Sequence, residues 1–437
     1  MSSRRTIREY ANGSLWVYPS VGGLLALLIG FGVSQIDVGP DSFLEPLAFQ
    51  GTADDARAVL SIVAATVVTV IALVLGLTVV ALQLSSTQFS PRLIRNFLRD
   101  RPNQVVLGVF VATFAYSAAG LYTVGEAAGA RTEQFPRIAV SGSILLLFAS
   151  LAMVIYFADH LAHSIQVDTI GRNVERQTLA VAHSLPGRVE TAAPIPPVWA
   201  SPLLAAESGY VQAVYPEQLL AIASRHRVQV RLRLRVGEHV VAGTLLAWLW
   251  TPDPDDPVPD LSLFRFPLDA AVKIGFERTL EQDAAFGIRQ LVDMACKALS
   301  PAVNDPYTAV QAIDHLSVIF SALAVRPLGD DVVADGAGTP VVIAPGRRFG
   351  DYLDTMCGLI RRYGASEPTV SLALIRLLET CAAVLPDDAE RWAALGAQAD
   401  LILADARREI AQPADVDPVA AAADELQEVV RMHLPER

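Results

Sequence analysis

Lysine is almost missing from this sequence: only Lys273 and Lys297 occur among 437 residues, so arginine carries nearly all of the positive charge. Cysteine is scarce too. Cys296, Cys357 and Cys381 show no CxxC spacing and have no histidine near them in sequence, which argues against a zinc site and against a disulfide framework. The plain reading is three reduced thiols packed as small hydrophobes, with no metal expected. No Walker loop, no GxGxxG after a strand, no GxSxG and no HExxH occurs, so an enzyme ranks third among the functional readings and no cofactor is expected. Acid exceeds base, giving a net charge of −12 and disfavouring a nucleic-acid partner. No small-residue cleavage site of the usual kind follows the N-terminal apolar segment, so Trp16 to Ile36 reads as a retained span and not as a signal peptide.

What the chain has in abundance is apolar surface. Apolar residues make up 52% of it, too many for an ordinary soluble enzyme. Four charge-free windows stand out: Tyr10 to Ile36, Ala58 to Pro91, Pro102 to Gly125, and Ile138 to Ala158. Each reaches the roughly 20 residues that a helix needs to cross about 30 Å of hydrocarbon. Arg4, Arg5 and Arg8 precede the first, Arg92, Arg95, Arg99 and Arg101 separate the second from the third, and Arg172, Arg176 and Arg188 follow the fourth. The first loop is instead acidic, with Asp37, Asp41, Glu45, Asp54 and Asp55 against Arg57. By the positive-inside rule both ends of a four-helix transmembrane domain, residues 1–163, face the cytoplasm.

Gly22, Ala26 and Gly30 form a small-xxx-small series on the first span, and Ala115 and Ala119 do so on the third, which lets backbones approach closely. The second window is longer than a bilayer requires, and it ends in ALQLSSTQFSPR. On a heptad, Thr66, Thr69, Leu73, Gly76, Val80, Gln83 and Thr87 share one face. Thr66, Thr69, Gly76, Gln83 and Thr87 are thereby pore-lining candidates. The competing reading is helix packing, with the threonines bonded back to their own carbonyls.

Beyond His160 no comparable window occurs. Residues 164–200 read as a helical continuation of the fourth span followed by a Pro-rich linker. Asp159, His160 and His163 cluster there, but no third ligand is fixed by spacing and a metal reading is weak. Residues 201–260 show strand alternation with Gly237 and Gly243 as turns. RVGEHVVAGTLLA resembles the small sandwich barrels of the biotinyl and lipoyl type. Those carriers need an attachment lysine and this block has none, so the likeness implies a small β sandwich-barrel without a swinging-arm cofactor. TPDPDDPVPD reads as a solvated acidic loop.

Residues 261–437 read as a helical cytoplasmic domain. Leu280, Ala284, Ile288, Leu291, Val292, Ala295 and Leu299 make one helical apolar face that stops at Ser300-Pro301. A second helix begins after Asn304-Asp305-Pro306, with Asn304 or Asp305 as its cap. Arg289, Asp293 and Lys297 are spaced by four, as in a surface ion-pair ladder. The alternative is a polar pocket in which Asp283, Arg289, Asn304 and Asp305 bind an ion or small molecule.

LQLSSTQFSPR, SGYVQAV and EQDAAFGIRQLVDMACKALSPAVNDP together resemble an uncharacterised family of predicted bacterial inner-membrane proteins, a domain of unknown function. The likeness spans nearly the whole chain. It implies a multi-pass location in the bacterial inner membrane and supplies no activity or site residue. The expected fold is four transmembrane helices plus a cytoplasmic α+β region. The expected function is an oligomeric channel or transport protein, with the second helix near the axis, the lipid bilayer and further copies as partners, and a cytoplasmic regulatory domain. The alternative is a membrane-anchored sensor or scaffold whose cytoplasmic domain binds a ligand or protein.

Overall fold

A computed structural model describes residues 16–36, 43–88, 101–124, 135–164, 166–185 and 193–434. The polar segment from Phe89 to Arg92, the loop arginines Arg4, Arg5, Arg8, Arg95, Arg99 and Arg188, and Asp37 and Asp41 lie outside the described residues. The chain divides into two compact units, Met1–Thr169 and Ile170–Arg437.

The first unit is built on four long helices: α1 (Val17–Ser34), α2 (Ala53–Gln88), α3 (Arg101–Thr123) and α4 (Arg137–Ser164). All four are long and apolar enough to cross a membrane. Thr52 and Asp55 start α2 reciprocally, since Thr52 N–H donates to the Asp55 carboxylate (2.9 Å) and Asp55 N–H to Thr52 Oγ1 (3.2 Å). From there α2 runs unbroken for 36 residues, or ~54 Å at 1.5 Å per residue.

Small residues decide which helices meet. A Cβ on Gly30 would lie 3.0 Å from the Tyr116 carbonyl oxygen and 3.1 Å from Ala119 Cβ, so the glycine series of α1 seats against the small-residue series of α3 within one chain. Hydroxyl pairs join α3 to α4: Thr113 Oγ1 lies 3.0 Å from Ser150 Oγ, and Ser117 Oγ 3.0 Å from Ser143 Oγ. Val63, Val67 and Val74 of α2 pack with Phe110 and Phe157, while Thr78 bonds back to the Val74 carbonyl (2.7 Å).

The fourth span does not continue as one helix. It ends at Ser164, and α5 (Val167–Ser184) starts anew after Gln166, whose N–H donates to the His163 carbonyl.

The second unit mixes sheets and helices. Strands β1 (Ser201–Leu204), β2 (Gly209–Val214), β3 (Gln229–Leu232), β4 (His239–Val240), β5 (Leu245–Trp250) and β6 (Val272–Gly275) are interleaved with α6 (Glu217–His226) and α7 (Ser262–Ala271). There follow α8 (Ala284–Ala298), α9 (Pro306–Ala324), β7 (Asp331–Ala334), β8 (Pro340–Ala344), α10 (Phe349–Tyr363), α11 (Pro368–Ala382), α12 (Ala389–Glu409) and α13 (Pro413–His433). The alternation expected in residues 201–260 is real, but the small sandwich-barrel is not: no closed barrel forms among the described residues. The strands make a three-stranded sheet, β4-β2-β6, and a five-stranded sheet, β1-β5-β3-β8-β7. The reason is non-local. β8 adds to β3 in parallel, Val230 opposite Val342, so a hairpin from far along the chain takes the place where local strands would have closed the sheet. Leu219, Val230, Leu249, Phe264 and Val342 are at the centre of the resulting core.

Candidate functional site

The described cavity of interest belongs to the second unit and holds ≈ 450 Å³, within the size range of small-molecule sites. Its wall comes from the end of β2, the β3–β4 turn, the loop before α8, the loop before β7, and the stretch from β8 into α10.

Asp283 anchors one side. Its carboxylate accepts the Phe286 N–H (3.1 Å) as the cap of α8, and also the Arg278 guanidinium, with Nη2 at 2.7 Å. Burial raises the Asp283 carboxyl above its usual range, while Arg278 and then Arg347 oppose the rise. The adjacent Gln282 fastens this loop to the sheet by accepting Val214 N–H on its side-chain oxygen (2.8 Å). Glu281 is occupied by the Tyr215 hydroxyl (2.8 Å) and by Lys273 (2.9 Å).

Arg235 reaches Asp351 on α10 (3.1 Å). One turn position on, Tyr352 is 4% exposed, and its ring lines the cavity. Burial pushes its phenol up to about 12, with Arg347 the leading opposing influence. Arg347 follows the tight Gly346 passage, where a Cβ would run into the Gly329 carbonyl. Asp331, at the start of β7, and Glu217, in the first turn of α6, also line the cavity. Burial and then the charge of Glu217 raise the Asp331 carboxyl.

The internal pairing is therefore incomplete. Asp283, Glu281 and Arg235 are each matched by a side chain of opposite charge. Arg347, Asp331, Glu217 and the Tyr352 hydroxyl have no side-chain hydrogen bond or ion pair among the described residues. A buried or half-buried polar group without a partner costs stability. Tyr352 is buried and Arg347 and Asp331 are half-buried, whereas Glu217 is exposed, so it is the first three that mark where something else can bind.

Of the four residues expected to form a pocket, only Asp283 lines this one. Arg289 turns to Asp293 on its own helix (2.8 Å), the first rung of the ion-pair ladder. Asn304 holds a left-handed conformation (φ 51°), and Asp305 caps α9 by accepting Thr308 N–H (3.1 Å) and Thr308 Oγ1–H (2.6 Å). Both follow the far end of α8, whose 15 residues set them ~22 Å from Asp283. Arg235, Arg347, Asp331, Glu217 and Tyr352 were not singled out by sequence. GRR at 346–348 was the sole compositional hint, and it is indistinguishable from a solvated surface run.

The stripe on α2 is placed clearly as far as Gln83. Thr66, Thr69, Leu73, Gly76, Val80 and Gln83 are exposed in the single chain, whereas Val63, Val67, Val74 and Ala81 are buried. Thr69 Oγ1 donates back to the Ala65 carbonyl (3.1 Å), and a Cβ on Gly76 would meet nothing within 4 Å. The Thr87 side chain lies outside the described residues. His163 Nδ1 sits 2.8 Å from the Asp159 carbonyl oxygen on an exposed face.

Two relatives, uncharacterized proteins of Mycobacterium bovis and Mycobacterium tuberculosis, are each 44% identical to this chain over 438 residues, covering 98% of it and 83% of their own length. No solved structure matches the chain. A family model described as "Predicted membrane protein (DUF2254)" matches residues 12–380, a stretch that takes in all four spans, both sheets and the cavity. By that match, and by the helices that carry it, the chain belongs to this family of predicted membrane proteins.

Proposed function

We propose that this membrane protein is an anchored sensor whose second unit binds a small polar ligand in the Asp283 cavity. The observation that carries the reading is the unmatched set of Arg347, Asp331, Glu217 and Tyr352 around one cavity, in a unit that satisfies the neighbouring charges internally. Binding sites keep such groups at a cost to stability. In the ligand-free, detergent-solubilised full chain, Asp331→Asn is expected to raise the thermal midpoint by a few degrees, because it removes a half-buried charge repelled by Glu217. A clear fall in the midpoint would mean that Asp331 is structural and would overturn the reading. In this reading the bilayer is the inner membrane and the second unit is cytoplasmic, as the arginine distribution supports. A green fluorescent reporter fused after Arg437 should then be fluorescent in cells, and a silent fusion beside an active alkaline phosphatase fusion would reverse the orientation.

A second reading, an oligomeric channel or transport protein with α2 near its axis, is supported by the α2 stripe. Hydroxyls, an amide and a glycine fall on a face that α1, α3 and α4 leave uncovered. Small residues on an uncovered face suit contact with another copy. Thr69→Cys and Gly76→Cys chains in native membranes are expected to cross-link between copies, and purified protein to pass ions in a liposome flux assay. Monomeric chains without flux would remove this reading and leave the sensor intact.

A further inference from the structure

The Pro-rich segment at 193–200, APIPPVWA, lies across one face of the five-stranded sheet. Trp248 stands opposite Arg231, Arg231 opposite Ile343, and Ile343 opposite Val332, so one row of side chains crosses β5, β3, β8 and β7 on a single face. Ala193 and Ala200 pack there with Trp250, Val332 and Ile343. Few bonds hold this strap. Residues 193–199 make no backbone hydrogen bond to the sheet among the described residues, and Pro194, Pro196 and Pro197 have no N–H to offer. Trp199 Nε1 donates to the Thr251 carbonyl (3.3 Å), and Arg231 Nη1 donates to the Pro194 carbonyl (2.9 Å). A segment fastened by two side-chain bonds and a small apolar contact opens locally at low cost.

Arg231 has a second task. Its Nη2 donates to the Asp330 carboxylate (2.8 Å), whose other oxygen accepts the Gly346 N–H (3.3 Å). Gly329 and Asp331, on either side of Asp330, line the cavity together with Gly346, and a Cβ on Gly346 would run into the Gly329 carbonyl. One half-buried guanidinium therefore grips the strap with one nitrogen and, with the other, the point where two segments of the cavity rim meet. Resting on the sensor reading above, we infer that residues 193–200 are a latch that cavity occupancy releases, with Arg231 as the positioning residue that couples the two. A ligand that spreads the rim draws Asp330 away, the guanidinium loses its counter-ion, and the donor to Pro194 is no longer held in place. The coupling is reciprocal, so a lifted strap loosens the rim by the same free energy. In sequence the strap stands between α5 and β1, on the stretch of chain that follows the last span.

The test uses the detergent-solubilised full chain carrying Val332→Cys and Cys296→Ser. Position 332 is buried against the strap, and Cys357 and Cys381 are buried elsewhere, so the rate of maleimide labelling reports how often the strap lifts. Arg231→Met should speed labelling about tenfold, the worth of one hydrogen bond from a charged donor. Asp330→Asn should speed it too, and so should Gly346→Ala, which forces the rim apart without touching the strap. In the Arg231→Met chain neither should add anything further, because the link through which they act is gone. Arg289→Met, whose partner is on its own helix, should leave the rate unchanged. Labelling indifferent to Arg231→Met or to Asp330→Asn overturns the inference, and these two variants decide it if Gly346→Ala does not fold. Full acceleration by Asp330→Asn within the Arg231→Met chain overturns it as well. A latch that fails beside a stabilising Asp331→Asn leaves the sensor with another output, whereas a destabilising Asp331→Asn ends both readings.

Discussion

A Gly287→Val chain is expected to unfold its second unit at clearly lower denaturant, with a loss of about 3 kcal/mol, at the upper end of ordinary overpacking. Gly287 is buried in α8 where α5 crosses it. A Cβ at this position would lie 2.8 Å from Thr178 Cβ and 2.9 Å from Thr178 Cγ2, and closer still to the hydroxyl. Thr178 Cβ is fixed by the backbone, so no rotation about its χ1 relieves the 2.8 Å approach. The backbones must therefore separate.

Separation also strains the other fastenings of α5. Gly171 packs against the His315 ring, His315 Nδ1 lies 2.6 Å from Glu175 Oε2, and Arg326 donates to the Leu185 carbonyl (2.7 Å). Ser184 and Leu185 line the cavity, so ligand response should weaken along with stability. The check is a double-mutant cycle with Thr178→Gly, which itself costs about 1 kcal/mol as a helical glycine. The pair should recover about 1 kcal/mol or more of the Gly287→Val loss through their coupling. Strictly additive effects would show that the two residues do not meet.

The second large effect is expected at Gly237, in the β3–β4 turn. Its φ is +89°, a region that costs an L-residue about 1 kcal/mol or more. A Cβ here would also strike the Asp283 carboxylate and come within 2.9 Å of Arg278 Nη2. Asp283 is 3% exposed and both caps α8 and holds Arg278, so it has no free direction in which to retreat. Loss of the cap costs about 1 kcal/mol, and a disturbed buried ion pair costs more. Gly237→Ala is accordingly expected to cost about 3 kcal/mol.

Gly243 provides the control. Its φ is +78°, but a Cβ would meet nothing within 4 Å, so Gly243→Ala should pay the conformational term alone, about 1 kcal/mol. Chemical denaturation of both variants measures the difference. Equal losses would show that Gly237 is kept for its backbone and not for its approach to Asp283.

Much of this architecture is legible locally. A span needs only an uninterrupted apolar run long enough for the hydrocarbon, and all four runs can be counted along the chain. Asp305 ahead of Pro306 announces the α9 start, because a cap and its helix lie within four residues of each other. Asp283 caps α8 in the same way, yet reading it as one pole of a pocket with Arg289, Asn304 and Asp305 placed partners along a helix that in fact holds them apart. The β7–β8 hairpin carries its own signal in DVVADGAGTPVVIA, two β-branched runs around a Gly-rich turn. The stronger helical periodicity on either side of it masks that signal.

The sequence by itself determined the four spans, the strand character of residues 201–260, the glycine turns and the start of α9 after Asn304-Asp305, since each depends on residues a few positions apart or on a single apolar run. Only the tertiary structure decided that β8 pairs with β3 in an open sheet. It alone sealed α1 against α3 within one chain, left the α2 stripe uncovered, and brought Glu217, Arg235, Asp331, Arg347 and Tyr352 around one cavity. Some charges find an internal partner nearby, as Asp283 does in Arg278 and Glu281 in Lys273, but the pairing of Arg235 with Asp351 spans 116 positions. Residue type and spacing do not encode that outcome, because the same arginine is a solvated surface charge or an unmatched pocket charge according to what folds beside it.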